Sequence, residues 1–144
     1  MSYLPSDVPL PAPEPWEARF WDFCRNRSLR FQRCATCGVV RHPPMPVCAS
    51  CGSLQEDWIE AGDDAELFTY TVIHKANHPA LARSVPYNAA VVVFASLQSV
   101  RLVSNVVDCR NEDLRIGMKL ALVWEQPLPG HVLPRFRPVA VISR

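Results

Sequence analysis

The sequence predicts a mainly β protein with an N-terminal helix, a short ribbon stapled by cysteines and a C-terminal five-stranded barrel of the OB type. Three observations carry that reading. Two C-x-x-C-G units, Cys34-Ala35-Thr36-Cys37-Gly38 and Cys48-Ala49-Ser50-Cys51-Gly52, lie ten residues apart. An aromatic stripe at helical spacing precedes them, and five β-rich segments follow within about 80 residues.

Residues 1–14 begin the chain with prolines at 5, 9, 11 and 13 and few large apolar side chains, which describes a flexible, extended arm. Residues 15–28 suit a helix: Pro15 fits its first position, Glu17 its positive end, and Arg25 with Arg27 its negative end. Trp16, Phe20, Phe23 and Cys24 then share one face, with Trp21 beside it. Residues 29–60 carry few sizeable apolar groups, Leu29, Phe31, Val39, Val40, Val47, Leu54 and Trp58 among them, too few to hold a separate fold by burial. Residues 61–144 change texture. Strands are expected over Glu66–His74, Ala89–Leu97, Val100–Val107, Met118–Glu125 and Phe136–Ile142, with Pro79, Pro86, Gly117, Pro127, Pro129, Gly130 and Pro134 between them. Five strands fit an OB-type barrel better than a sandwich, which usually has seven or more.

Composition excludes several classes. No stretch approaches the ~20 apolar residues of a membrane helix, and the first residues carry no basic, then apolar, targeting pattern, so a cytoplasmic protein is expected. The formal net charge is +1. It hides a basic block holding Arg19, Arg25, Arg27, Arg30, Arg33 and Arg41, followed by an acidic one holding Glu56, Asp57, Glu60, Asp63, Asp64 and Glu66. A balanced chain of this kind offers at most a local basic surface, which argues against nucleic acid as the partner.

The paired C-x-x-C-G units bring four thiolates to one centre, and each glycine permits the backbone to turn its N–H groups toward sulfur. Four soft ligands in a tetrahedron are the closed arrangement of a structural Zn2+, one per chain. Iron suits the same four sulfurs, and zinc is preferred on its commonness. Disulfides are disfavoured because a cytosolic chain is kept reduced. A four-cysteine site has no open position for water, so the ion serves folding and not hydrolysis. Its charge lowers the basic block from about +5 to about +3. Cys24 reads as a buried thiol, and Cys109 lacks a base beside it in sequence. His42 reads as a surface group or as support to the cysteines; His74, His78 and His131 read as loop residues. No phosphate-binding glycine loop, G-x-S-x-G or H-E-x-x-H occurs.

An aromatic helix with Phe20-Trp21, then Leu29-Arg30-Phe31-Gln32-Arg33-Cys34, two knuckles separated by Pro43-Pro44, and a small barrel resembles the DUF35 family. Further points of likeness are Phe68 to His74, Pro86-Tyr87, Arg101-Leu102, Ile116-Gly117-Met118 and Phe136-Arg137-Pro138. The chain departs from the family pattern at Gly62-Asp63-Asp64-Ala65 and at a turn placed over Leu97-Gln98-Ser99-Val100. The resemblance implies a rubredoxin-like zinc ribbon joined to an OB fold, in an accessory protein with no catalytic residues of its own. It implies a hetero-oligomer with a thiolase-like, lipid-transfer-protein-type or aldolase subunit acting on acyl-CoA, in steroid side-chain or other lipid breakdown. In such a complex the chain would stabilise its partner and help form the acyl-CoA channel. Metal ligands are then Cys34, Cys37, Cys48 and Cys51. Trp16, Phe20, Trp21, Arg33, Pro43, Pro44, Lys75 and Tyr87 form the expected partner or acyl-CoA surface, with Arg19, Arg41 and Met45 as further candidates. The competing readings are a single-stranded nucleic-acid-binding ribbon and barrel, and an enzyme using Cys109.

Overall fold

The computed structural model describes residues 4–139. A single 3-10 turn, Pro15–Glu17, leads into helix α1 (Ala18–Arg25), and Glu14 with Glu17 forms a reciprocal capping box at the start. Phe20 and Cys24, one helical turn apart, are the face that α1 buries. Strands β1 (Arg30–Cys34), β2 (Val40–Arg41) and β3 (Glu56–Glu60) form an antiparallel sheet in the order β2-β1-β3, and the two knuckles project from its end.

Strands β4 (Ala65–Ile73), β5 (Tyr87–Phe94) and β6 (Leu97–Ser104) make a second antiparallel sheet, and β7 (Leu120–Leu128) with β8 (His131–Pro138) a hairpin. The hairpin closes on the sheet at two seams. On one, Leu67 N–H donates to the Met118 carbonyl and Glu66 pairs with Lys119 at 2.6 Å. On the other, Val107 N–H donates to the Phe136 carbonyl. Strand β5 alternates strictly, burying Asn88, Ala90, Val92 and Phe94, as a strand lining a barrel interior must.

Two differences from the expected strands have local causes. The apolar run Ala89–Leu97 breaks at Ala95-Ser96, and Leu97 to Val100 belongs to β6 instead of a turn. Asp64 makes that break, since its carboxylate accepts from Ser96 N–H at 2.6 Å and its carbonyl from Ala95 N–H. The fifth strand lies earlier than Phe136–Ile142, and residues 140–142 fall outside those described. Pro127 and Pro134 lie within strands, Pro127 at the irregularity between Glu125 and Leu128 and Pro134 opposite Trp124 in a two-stranded hairpin, where one strand side owes no ladder bond.

One core cluster joins the helix, the ribbon base and the barrel. Phe31 of β1 packs 5.4 Å from Phe94 of β5, which in turn lies 6.2 Å from Phe136 of β8. Phe20, Cys24 and Leu29 join the same buried cluster, so helix and ribbon base share one interior with the barrel.

Candidate metal centre and flanking clefts

The ribbon sheet sets where the knuckles begin. Cys34 ends β1, paired with Glu56 of β3, and Cys34 N–H donates to the Val39 carbonyl. The second knuckle repeats the turn, Cys48 N–H donating to the Ser53 carbonyl. Gly38 (φ +80) and Gly52 (φ +75) take the left-handed conformation that closes each turn back on its first cysteine.

The four sulfurs of Cys34, Cys37, Cys48 and Cys51 all lie within 4.8 Å of one another. Cys34 to Cys51 and Cys37 to Cys48 are each 3.6 Å apart. Zinc–sulfur bonds of ~2.3 Å arranged tetrahedrally set sulfur–sulfur edges near 3.8 Å, so the cage has the size the ion requires. Its electrostatics agree. The Cys37 N–H pointing at Cys34 sulfur draws that thiol down to about 6. At Cys51 the Ser53 N–H also favours the thiolate, yet the crowding thiols of Cys34, Cys37 and Cys48 push it up to about 11. Four thiolates at this spacing repel one another, and a divalent cation among them removes that conflict. The donor set is that of one structural zinc ion, with no fifth ligand needed.

A buried amide holds the segment between the knuckles. Gln32, 1% exposed, accepts from Met45 N–H at 2.8 Å and donates to the Met45 carbonyl at 3.0 Å, and it also bonds Glu56. It acts as a one-residue extension of the ladder and fixes the loop that carries Pro43 and Pro44.

The residues expected at a partner surface divide among several places. Phe20, 3% exposed, is packed edge-on against Trp21 and beside His42, so it supports the surface from beneath. Pro44 is likewise buried, while Trp16 and Pro43 are exposed and Trp21 is half-buried. Phe20, Trp21, Pro43 and Pro44 line a groove of about 170 Å³ with Val103 of β6 and Arg135 of β8. Arg33 is committed within the ribbon, pairing Asp57 directly across β1 and β3 at 2.7 Å. Lys75 is an exposed loop residue, and Tyr87 lines a separate cleft of about 540 Å³ on the barrel. Arg135 borders both clefts. Arg19 is exposed and Arg41 half-buried, its guanidinium donating to the Met45 carbonyl at 3.3 Å. Burial pushes the Cys24 thiol up to about 12, which makes it an inert core group. Burial, and then Asp113, raise Cys109 as well.

Sequence reasoning missed three functional neighbours. His42 is not a surface group: its ring sits 4.9 Å from Phe20 and 5.4 Å from Phe31. Val103, 71% exposed at the groove, is signalled only by the outward phase of β6. The pair Glu125 and Arg135, at 2.8 Å with Glu125 1% exposed, unites two positions ten residues apart whose pairing depends on the β7–β8 register.

The sequence matches two family descriptions in succession: the ChsH2 rubredoxin-like zinc ribbon domain over residues 21–56, and the ChsH2 C-terminal OB-fold domain over residues 58–125. It is 38% identical over 130 residues to a probable enoyl-CoA hydratase alpha subunit of Thermomonospora curvata, covering 90% of this chain and 40% of that protein. The chain thus spans well under half the length of that curated relative. A DUF35 domain-containing scaffold protein of Methanocaldococcus jannaschii is 30% identical over 110 residues, 75% of this chain and 76% of its own. Among solved structures, a chain of an Ltp2-ChsH2(DUF35) aldolase superposes with a TM-score of 0.80 at 37% identity, covering 90% of this chain and 98% of that one.

Proposed function

The chain belongs to the DUF35 family of zinc-ribbon and OB-fold proteins, and from that premise we propose that it is an accessory subunit of an enzyme acting on acyl-CoA. The partner is a thiolase-like or aldolase subunit, and the pathway is steroid side-chain or other lipid breakdown. In this reading the zinc ribbon is structural, the chain stabilises its partner, and the reaction belongs to the partner's residues. The observation that carries the proposal is the near end-to-end likeness, at 37% identity, to a chain of the Ltp2-ChsH2(DUF35) aldolase.

The groove between α1, the Pro43-Pro44 loop and β6 supports an interface there. Trp21, Pro43 and Val103 give it aromatic and apolar anchors, and Trp16 is exposed just before α1; these are the residue types that concentrate binding energy when a partner desolvates them. Lys75 and Tyr87 lie apart from these anchors; Lys75 belongs to the acyl-CoA side of the proposal, while Tyr87 lines the barrel cleft.

Co-expression with a thiolase-like subunit encoded by the same organism tests this. The two should co-purify through gel filtration, and the partner alone should be less stable and less active. Trp21→Ala should weaken the complex by roughly 2 kcal/mol or more, about thirty-fold in Kd, as for an interface anchor. A partner that is fully active and stable alone, and is not bound by this chain, overturns the proposal.

A further inference from the structure

The barrel cleft of about 540 Å³ is walled on one side by the chain's own N-terminal segment, Leu4 and Pro5. Leu4 N–H donates to Oε2 of Glu125, whose other oxygen accepts from Arg135 Nε at 2.8 Å. Glu125 is 1% exposed, so this backbone donor from 121 residues away helps satisfy a buried carboxylate. Between Leu4 and the 3-10 turn at Pro15, only Pro5, Val8 and Leu10 are half-buried, and most of the rest is exposed. The segment is therefore anchored at Leu4 by a charge-assisted bond and buries few side chains before Pro15, a combination that lets it open without unfolding the barrel.

The walls of the cleft define what fits. Leu81, Val106 and Val107 are apolar, and the side-chain amide of Asn88 is engaged with Val106 and Asn111. Among the described residues lining the cleft, both cations are already paired, Arg110 with Asp113 at 3.0 Å and Arg135 with Glu125 at 2.8 Å. An anionic head group finds no excess positive charge there, whereas an uncharged apolar group finds a lined space of ligand size.

We propose that the N-terminal segment, whose Leu4 and Pro5 close one side of the cleft, is a detachable strap at a binding site for an uncharged apolar ligand, latched by the Leu4 N–H on the buried Glu125–Arg135 pair. This inference stands apart from the subunit role proposed above. Leu4→Pro deletes the latching donor and leaves the carboxylate and its arginine in place.

The test uses the full zinc-loaded chain and the neutral fluorophore N-phenyl-1-naphthylamine, followed by stopped-flow fluorescence. One probe should bind per chain, and its association rate should rise roughly ten- to hundred-fold in Leu4→Pro, the range set by losing a hydrogen bond to a charged group. Ser84→Trp, at the rim of the cleft, should abolish binding in both backgrounds. Decanoate should fail to compete. A chain beginning at Ser6 gives the same readout should Leu4→Pro misfold by circular dichroism. Equal association rates, absence of saturable binding, binding that survives Ser84→Trp, or competition by decanoate would each overturn the proposal.

Discussion

At His42 the competition between hydration and packing is resolved in favour of packing. The ring is wedged between Phe20 and Phe31, and burial holds its pKa down at about 4, with Glu17 opposing only weakly. The unfolded chain has an ordinary histidine near 6.5, so between about pH 6.5 and 4 the unfolded state binds the extra proton. The stability tied to the neutral ring is fully present above that window and is lost as pH falls through it, by at most roughly 3 kcal/mol. Phenylalanine keeps the ring and removes the proton site. Urea midpoints of the parent chain and His42→Phe should therefore converge at pH 7 and separate below pH 6, with the parent falling faster; parallel pH curves would show that His42 does not titrate in the fold. The sequence placed His42 beside the knuckles and no further, because its burial depends on α1 folding over a loop it does not touch in sequence.

Among the elements, β1 links ribbon to barrel. Phe31 and Arg33, two residues apart, share one face of this five-residue strand: toward the knuckles Arg33 pairs with Asp57, while Phe31, fully buried, enters the barrel interior against Phe94. Phe31→Ala should cost about 3–5 kcal/mol, the range for truncating a buried aromatic. Because the ring belongs to both modules, denaturation followed by Trp fluorescence and by far-ultraviolet circular dichroism should shift together, and a shift in one signal alone would mean the modules unfold independently. Strands with a clear period were legible in the sequence: β4, β5 and β6 lie within a few residues of where alternation and β-branched content put them. Their ends were less so. The turn at Ala95-Ser96 holds no Gly, Pro, Asn or Asp of its own, and its determinant, Asp64, is about 30 residues away. The strands of the β7–β8 hairpin were expected but their inner ends were cut short for the opposite reason, since Pro127 and Pro134 read as punctuation while lying within the strands.

For the molecule as a whole, the question is how far the metal's influence extends. The knuckles and their ligands were fully legible, because spacing alone dictates a four-sulfur cage and the structure assembles it. A segment with too little apolar mass to fold is a sound description of the ribbon's outer part, where Val39, Met45, Val47 and Leu54 all remain exposed. It fails for the base, where Leu29 and Phe31 borrow the barrel's interior, a long-range contact that no local pattern announces. Stability should therefore be graded along the ribbon. Chelation of zinc, or Cys37→Ala, should release the knuckle amides of Gly38, Cys48 and Gly52 to fast hydrogen exchange, since these bonds close turns organised around sulfur. Amides in β5, whose partners lie within the barrel, should stay protected, with exchange slowed by the same factor as in the zinc-loaded chain. Loss of protection throughout the barrel on chelation would mean that the metal supports the whole shared core. Retention of protection at the knuckles would mean that hydrogen bonds alone suffice to close them.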